Sequence, residues 1–301
     1  MSGMKRNRIR GLVGGLLLLV AVFAATGETQ QPDRTQVHPF AQKRLVYQIP
    51  GMKDVSRSRG IPYDSEGGSN LKLDIYFPPQ SDRGHKLPVV ILISGYPDSA
   101  IKKYYGVNQK DLGLFDSWAE LIAASGMIAV TYESERSAGE TDRAIAFLRK
   151  NAATYGIDPE HIALFGCSAN TLTAQSMMQD PVPGIKCAVF YYPILATPDG
   201  KDADIIAASA KRYGFYWDGI NKIERIPKDV PIFVVSVGRE IHPEVKETTD
   251  HFVREVMSRG IPLTYIHYAG GQHDFDVQDD TEEARSIIRQ TVDFLKTHLM
   301  H

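Results

Sequence analysis

The chain has 301 residues, of which 43% are hydrophobic and 23% are charged, and its formal net charge is −2. This length and composition allow one large domain with a sizeable buried core, and they exclude a mainly disordered chain. The near-neutral balance, with no basic stripe and no interleaving of basic and aromatic residues, argues against a nucleic-acid partner.

The N-terminal segment has the pattern of a secretory signal peptide, which we assign to residues 1–27. A charge-free run that is rich in Leu and Val ends in small residues and follows four basic residues. The basic residues are Lys5, Arg6, Arg8 and Arg10. An uncleaved membrane anchor is the alternative, although the run is slightly shorter than the ~18 residues of a spanning helix. We therefore expect an exported, periplasmic or extracellular protein that contacts a membrane only if this segment is retained.

Residues 28–45 are polar and are expected to form a linker, and the periodic pattern of a folded domain begins at residue 46 and continues to 301. Residues 55–63 and 71–77 alternate between apolar and polar side chains and are separated by turn-forming residues. This pattern predicts an antiparallel hairpin at the start of the domain.

Helical patterns then alternate with short apolar runs, which predicts an α/β domain whose mostly parallel sheet has helices on both faces. The predicted buried strands are residues 88–93, 127–132, 161–167, 186–192, 231–237 and 263–268. Asp280 is expected to cap the closing helix. Cys167 and Cys187 fall within predicted core strands, so we expect buried thiols, since two cysteines do not make a disulfide framework.

One long interruption, residues 195–228, separates the fourth and fifth buried strands and is rich in aromatic residues. It predicts a small helical cap over the carboxyl edge of the sheet, where ligands bind in open α/β sheets. Tyr191 and Tyr192 precede this segment, and Tyr213 and Trp217 lie within it. These four aromatic residues are candidates for lining a substrate pocket.

Ser168 is the candidate nucleophile. It is the centre of Gly166–Asn170, which follows a predicted buried strand and leads at once into a helical pattern, as in the nucleophile elbow G-x-S-x-G. The sharp turn needs small neighbours, a need that Gly166 and Ala169 meet, and the helix N-terminus faces the oxyanion that forms. Asn170 replaces the last glycine and is treated as a variant because Asn tolerates tight conformations.

His273 is the candidate general base, because a serine hydroxyl is a weak nucleophile at neutral pH and needs one. It lies in a glycine-containing loop, residues 269–276, between the last predicted strand and the final helix, from which it can reach the elbow. His242 is the main rival, and the other histidines fall in tails, in polar loops or within predicted elements.

Glu240 is the candidate acid that would orient His273 and stabilise its imidazolium. It is the first carboxylate after the fifth buried strand, with Glu244 as the alternative. The aspartates that follow His273 are too close in sequence to be its usual partner.

An oxyanion hole needs two backbone donors. The Ala169 amide follows the nucleophile, and the second donor is expected from the loop 94–98 after the first buried strand. Because Pro97 has no N–H, Tyr96 is the expected donor.

With these motifs in place, residues 68–299 resemble α/β-hydrolases of the dienelactone-hydrolase-like and esterase/lipase-like kind. The matching pieces are Leu73–Pro78, Ile93–Tyr96, Gly156–Pro159, the elbow, Gly238–Glu240 and His273–Asp276. The order Ser, acid, His is also that of the family. Two positions depart from its pattern: Ser94 stands where relatives often have His, and Ser168 stands where true dienelactone hydrolases have Cys.

The resemblance implies an esterase-like serine enzyme, and we expect it to hydrolyse a small carboxylic ester through an acyl-enzyme. The sequence has no metal-binding cluster or phosphate loop, so we expect no cofactor or metal. A peptidase or amidase of the same fold is the alternative enzyme, and a hydrolase-fold binding protein without activity is the alternative outside catalysis. The sequence leaves the physiological ester and the oligomeric state open.

Overall fold

The computed structural model describes residues 37–64, 70–79, 85–135, 138–179, 183–196, 200–217, 219 and 223–300. The predicted signal peptide, residues 1–27, lies outside this part of the chain. Within the described residues, no helix combines the length and the apolar character that crossing a membrane requires.

The sheet has eight strands in the order β1-β2-β4-β3-β5-β6-β7-β8. Their bounds are β1 Ser56–Asp64, β2 Leu71–Phe77, β3 Leu87–Leu92, β4 Ile128–Tyr132, β5 Ile157–Cys167, β6 Ile185–Tyr191, β7 Ile232–Val237 and β8 Leu263–Tyr268. The pairs β1–β2 and β2–β4 are antiparallel and every other pair is parallel. The predicted hairpin and the predicted parallel sheet are both confirmed.

Helices cover both faces of the sheet, as the alternating pattern predicts. Their bounds are α1 Asp98–Tyr105, α2 Gly113–Ala124, α3 Ala138–Lys150, α4 Ala152–Tyr155, α5 Asn170–Gln179, α6 Gly200–Tyr213, α7 Pro243–Ser258, α8 Phe275–Gln278 and α9 Glu282–Leu299. One apolar cluster lies under α2 and α9, and a second under α3, α5 and α7. Successive strand residues point to opposite faces, so Phe165 enters the first cluster and Leu164 the second.

The packed domain begins before residue 46, which corrects the predicted linker over residues 37–45, while residues 28–36 of that linker lie outside the described part of the chain. Phe40 and Leu45 are buried in the first apolar cluster, and the amide of Val46 donates to the carbonyl of Asp276 at 2.9 Å. Polar neighbours conceal these apolar residues in the sequence, because a single short turn has no readable period.

The interruption at residues 195–228 contains helix α6, as the cap prediction expects. Asp202 of α6 is hydrogen-bonded to His251 of α7 at 2.8 Å, and Ile206 is fully buried in the first cluster. After α6, the amide of Tyr216 donates to the carbonyl of Gly95 at 3.1 Å. The cap segment therefore packs both on α7 and on the loop that follows β3.

The cap of the closing helix is Thr281, not Asp280 as predicted. Thr281 has an extended backbone, and its hydroxyl accepts the amide of Ala284 at 3.1 Å. Asp280 pairs instead with Arg285. Cys167 and Cys187 are buried free thiols, as expected.

Candidate active site

Ser168 lies at the sharp turn between β5 and α5 with a backbone φ of +53°. Left-handed conformations are uncommon for residues other than glycine and concentrate at functional sites. A Cβ at Gly166, two residues before Ser168, would lie only 3.1 Å from the Cα of Thr171, so this position favours glycine. Ala169, the residue after Ser168, is small and fully buried. The local geometry is that of the predicted elbow.

His273 and Glu240 complete a hydrogen-bonded chain that starts at Ser168. The Oγ of Ser168 lies 3.0 Å from Nε2 of His273, and Nδ1 of His273 lies 2.7 Å from Oε2 of Glu240. The carboxylate can only accept, so Nδ1 carries a proton, and in the neutral form of His273 that can act as a base the Ser168 hydroxyl donates to Nε2. The structure thus brings together the predicted nucleophile, base and acid.

Glu244 and His242, the alternative acid and base, lie beside the site and contact each other. Glu244 lies on the first turn of α7, and its Oε1 is 3.6 Å from Nδ1 of His242. The ring centroid of His242 is 5.5 Å from that of His273. The side chains of Glu244 and His242 therefore lie beside His273 but take no part in its hydrogen bonds to Ser168 and Glu240.

The ends of β7 and β8 hold the acid loop against the histidine loop. The amide of Gly238 donates to the carbonyl of Tyr268, and the amide of Arg239 donates to the carbonyl of Gly271, each at 2.9 Å. A Cβ at Gly238 would overlap the backbone of Ala269, so only glycine fits there. The remaining carboxylate oxygen of Glu240 accepts two further backbone amides at 3.0 Å, which fixes its orientation.

Electrostatics favour the charged forms of this pair. Burial by itself lowers the pKa of His273, but the charge and hydrogen bond of Glu240 outweigh it and raise that pKa to about 9, with further contributions from Asp274 and Asp276. Burial opposes ionisation of Glu240, yet the charge and hydrogen bond of His273 hold its pKa below the usual range. The acid therefore stays ionised and stabilises the imidazolium.

Asp276 holds the tyrosine that packs against His273, a role that the sequence alone does not reveal. Its carboxylate accepts the indole N–H of Trp118 at 2.7 Å and the hydroxyl of Tyr192 at 3.0 Å, and burial raises its pKa to about 7. The ring of Tyr192 packs on His273 with centroids 4.5 Å apart. The signal in the sequence is the pair of aspartates after His273, which belongs to the family resemblance but to which the sequence assigns no role.

Asp274, the next residue after His273, is left-handed with φ of +58° and is almost fully buried. Within the described residues, neither of its carboxyl oxygens has a hydrogen-bond partner. Burial raises its pKa, an effect that the positive charge available on His273 partly offsets. Its negative charge acts through space to raise the pKa of His273.

The two predicted oxyanion donors, the amides of Tyr96 and Ala169, are not used elsewhere in the described part of the chain. The preceding amides are both occupied. Gly95 donates to Oδ1 of Asn170 at 2.7 Å, and Ser168 donates to the carbonyl of Tyr191 at 2.9 Å. The geometry therefore leaves the Tyr96 and Ala169 amides available to an oxyanion.

Two of the four predicted pocket residues need correction. Tyr191 is a core residue: it is fully buried, its hydroxyl bonds to Thr291 of α9 at 2.6 Å, and its ring stacks on Phe275. A strand residue that points into the sheet's apolar cluster offers no surface to substrate. Tyr192 is likewise fully buried and supports His273 rather than lining a pocket.

Of the two cap aromatics, Tyr213 lies beside the site. Tyr213 is half-buried, and its ring meets that of His242 edge-on with centroids 5.7 Å apart. Trp217 is half-buried against the first apolar cluster. Among the described residues, no group of three or more His, Cys, Asp or Glu side chains is placed to hold a metal ion.

The sheet order, the elbow after β5, the acid after β7 and the histidine after β8 define the α/β-hydrolase fold. Comparison with solved structures shows the same fold. An esterase from Thermogutta terrifontis with bound propionate has a TM-score of 0.59 and 18% identity, covering 82% of this chain and 96% of its own. An esterase from Rhizomucor miehei has a TM-score of 0.61 and 17% identity, covering 86% and 87%.

Two further comparisons concern the sequence. The family model BD-FAE matches residues 73–178, which run from β2 through the elbow to α5. The protein "Esterase LipQ" of Mycobacterium tuberculosis is 27% identical over 239 residues, which are 73% of this chain and 48% of LipQ. This chain thus spans about half the length of that relative, and it resembles esterases of the α/β-hydrolase fold.

Proposed function

We propose that this protein is a carboxylic ester hydrolase that acts on a small ester through an acyl-enzyme. The observation that carries the proposal is the continuous chain Ser168–His273–Glu240, with hydrogen bonds of 3.0 and 2.7 Å at the carboxyl edge of the sheet. The names of LipQ and of the structural neighbours, which are esterases, support the same reaction.

Each residue has a defined role in this reaction. Ser168 Oγ attacks the ester carbonyl while its proton passes to Nε2 of His273, and the Tyr96 and Ala169 amides stabilise the oxyanion. Collapse of this intermediate expels the alcohol, which takes the proton from His273 and leaves an acyl group on Ser168. A water molecule, activated by His273, then releases the carboxylic acid and restores the serine. Glu240 keeps His273 in the correct tautomer throughout.

Serine, and not cysteine, carries the nucleophilic role. Burial raises the pKa of Cys167 well above its ordinary value, so its thiol stays protonated at neutral pH. We therefore expect the dienelactone-hydrolase-like motifs to reflect shared architecture rather than the cysteine chemistry of that family.

The substrate class can be tested with p-nitrophenyl esters of increasing acyl length beside a matched p-nitroanilide. An esterase is expected to turn over the esters much faster than the anilide, and the length profile reports the size of the acyl pocket. Faster anilide turnover would favour an amidase instead. Absence of turnover with every substrate, in a folded protein, would favour an inert binding scaffold.

We further propose export, supported only by the basic, apolar and small-residue pattern of residues 1–27. Expression of the full chain in a bacterial host, followed by fractionation and mass determination of the product, tests it. A secreted product that begins near residue 28 is the expected result. A full-length product in the membrane fraction would indicate an uncleaved anchor, and one in the cytoplasm would refute export.

A further inference from the structure

Asn170, the residue that replaces the last glycine of the elbow motif, joins the two sides of the oxyanion hole. It is fully buried at the start of α5. Its Oδ1 accepts the amide of Gly95 at 2.7 Å and Nε2 of Gln109 at 3.0 Å. Its Nδ2 donates to Sγ of Cys167 at 3.6 Å. A glycine at this position could make none of these bonds.

The hydrogen bond between Gly95 and Asn170 joins two residues that are each next in sequence to a predicted oxyanion donor. Gly95 immediately precedes Tyr96, and Asn170 immediately follows Ala169. The two backbones also approach closely, because a Cβ on Gly95 would lie 2.6 Å from the Cα of Asn170. One side chain therefore fixes the separation of two donors that belong to different loops.

The orientation of this amide is set by its neighbours. Gly95 N–H and Gln109 Nε2 are both donors, so the carbonyl oxygen of Asn170 must face them. Gln109 is itself fully buried, and its backbone amide donates to Oδ1 of Asp98 at 2.5 Å. Asp98 also accepts the amide of Ser134 at 2.8 Å. A series of buried hydrogen bonds thus anchors Asn170 to the loop after β3.

We propose that Asn170 is a positioning residue that preorganises the oxyanion hole, with Gln109 acting through it. This inference rests on the proposed ester hydrolase function. Asn170 does not touch the substrate. Its effect is to hold the Tyr96 and Ala169 amides at the distance that the oxyanion requires, and misplacement of such donors costs transition-state binding specifically.

The test compares wild type with Asn170→Ala, measuring kcat and KM for p-nitrophenyl butyrate and the inhibition constant of a trifluoromethyl ketone. That ketone forms a hemiketal oxyanion with the serine. Asn108→Ala is the matched control, because Asn108 bonds Glu133 nearby but not Gly95. We expect Asn170→Ala to lower kcat by about 10- to 10³-fold, to weaken the ketone in parallel and to leave KM nearly unchanged.

Several results would overturn this inference. One is an unchanged kcat, and another is equal weakening of the ketone and of a product alcohol, as a general loss of structure would cause. If Asn170→Ala fails to fold, Asn170→Gly, which restores the residue of the motif, gives the same comparison. Gln109→Met should add little to either variant if it acts through Asn170. An inactive wild type would refute the proposed function instead, so the two failures are distinguishable.

Discussion

Glu240 orients His273 and supplies the charge that stabilises its imidazolium. Replacement by glutamine keeps the shape but removes the charge and allows the wrong histidine tautomer. We expect Glu240→Gln to lower kcat by about 10⁴-fold, as loss of the triad carboxylate does elsewhere. Steady-state kinetics on a p-nitrophenyl ester measure the effect.

The matched control is Glu244→Gln, which removes the neighbouring carboxylate that contacts His242 rather than His273. Its kcat should stay within about threefold of wild type, because the Glu244 carboxylate pairs with His242 and is not among the charges that raise the pKa of His273. Equal losses in the two variants would contradict the assignment of Glu240 as the acid.

The charge of Asp274 should be visible in the pH dependence of the reaction. His273 must be neutral to act as a base, so kcat/KM rises with pH through the pKa of His273 in the free enzyme. Asp274 contributes to raising that pKa. Asp274→Asn removes a negative charge, stabilises the neutral imidazole and should move the acidic limb of the profile to lower pH.

Asp280→Asn is the control for this shift, since Asp280 is an exposed carboxylate that pairs with Arg285. Its profile should coincide with that of wild type. An acidic limb of Asp274→Asn that stays in place or moves to higher pH would show that Asp274 does not act on His273 through its charge.

Among the elements, the site depends on close contact between the loop that follows β7, which carries Glu240, and the loop that follows β8, which carries His273. Gly238→Ala would place a methyl group against the backbone of Ala269 and push the acid loop away from the histidine loop. A misplacement of about 1 Å can cost roughly 10²-fold in rate. We expect Gly238→Ala to lose about that much kcat.

Gly270→Ala provides the comparison in the same pair of loops. Its Cβ would lie 3.5 Å from the ring of Tyr268, which is ordinary van der Waals contact. The rate should therefore change little, and both variants should be compared by kcat and by thermal unfolding. Wild-type kinetics in Gly238→Ala would mean that the two loops can separate without cost to the reaction.

Element positions were predictable because apolar runs and their spacing are local signals. The strands β3 to β8 lie within a few residues of their predicted bounds, and the loops after β5, β7 and β8 hold the predicted catalytic residues. The orientation of a side chain relative to distant groups is not a local signal. For this reason the sequence indicates neither the burial of Tyr191 and Tyr192 nor the hydrogen bond from the Gly95 amide to Asn170.

At the scale of the whole molecule, the segment before residue 46 is part of the domain. Phe40 and Leu45 of this segment are buried, and the amide of Val46 donates a hydrogen bond to the carbonyl of Asp276, three residues after His273. Full burial of one such side chain contributes about 1.5–3 kcal/mol. We expect residues 46–301 to be less stable than residues 37–301 by about 3 kcal/mol or more, measured by urea denaturation.

Equal stability of the two chains would show that the predicted linker, and not the observed packing, describes residues 37–45. Such long-range contacts of a short apolar segment have no periodicity, and for this reason the sequence alone placed the boundary too late.

The central claim is that Ser168 is the nucleophile of an ester hydrolase. The most direct measurement is the turnover of p-nitrophenyl butyrate by the purified protein beside Ser168→Ala, with both shown to be folded by circular dichroism. We expect the mutant to lose about 10⁶-fold in kcat. Equal rates for the two folded proteins would contradict the central claim.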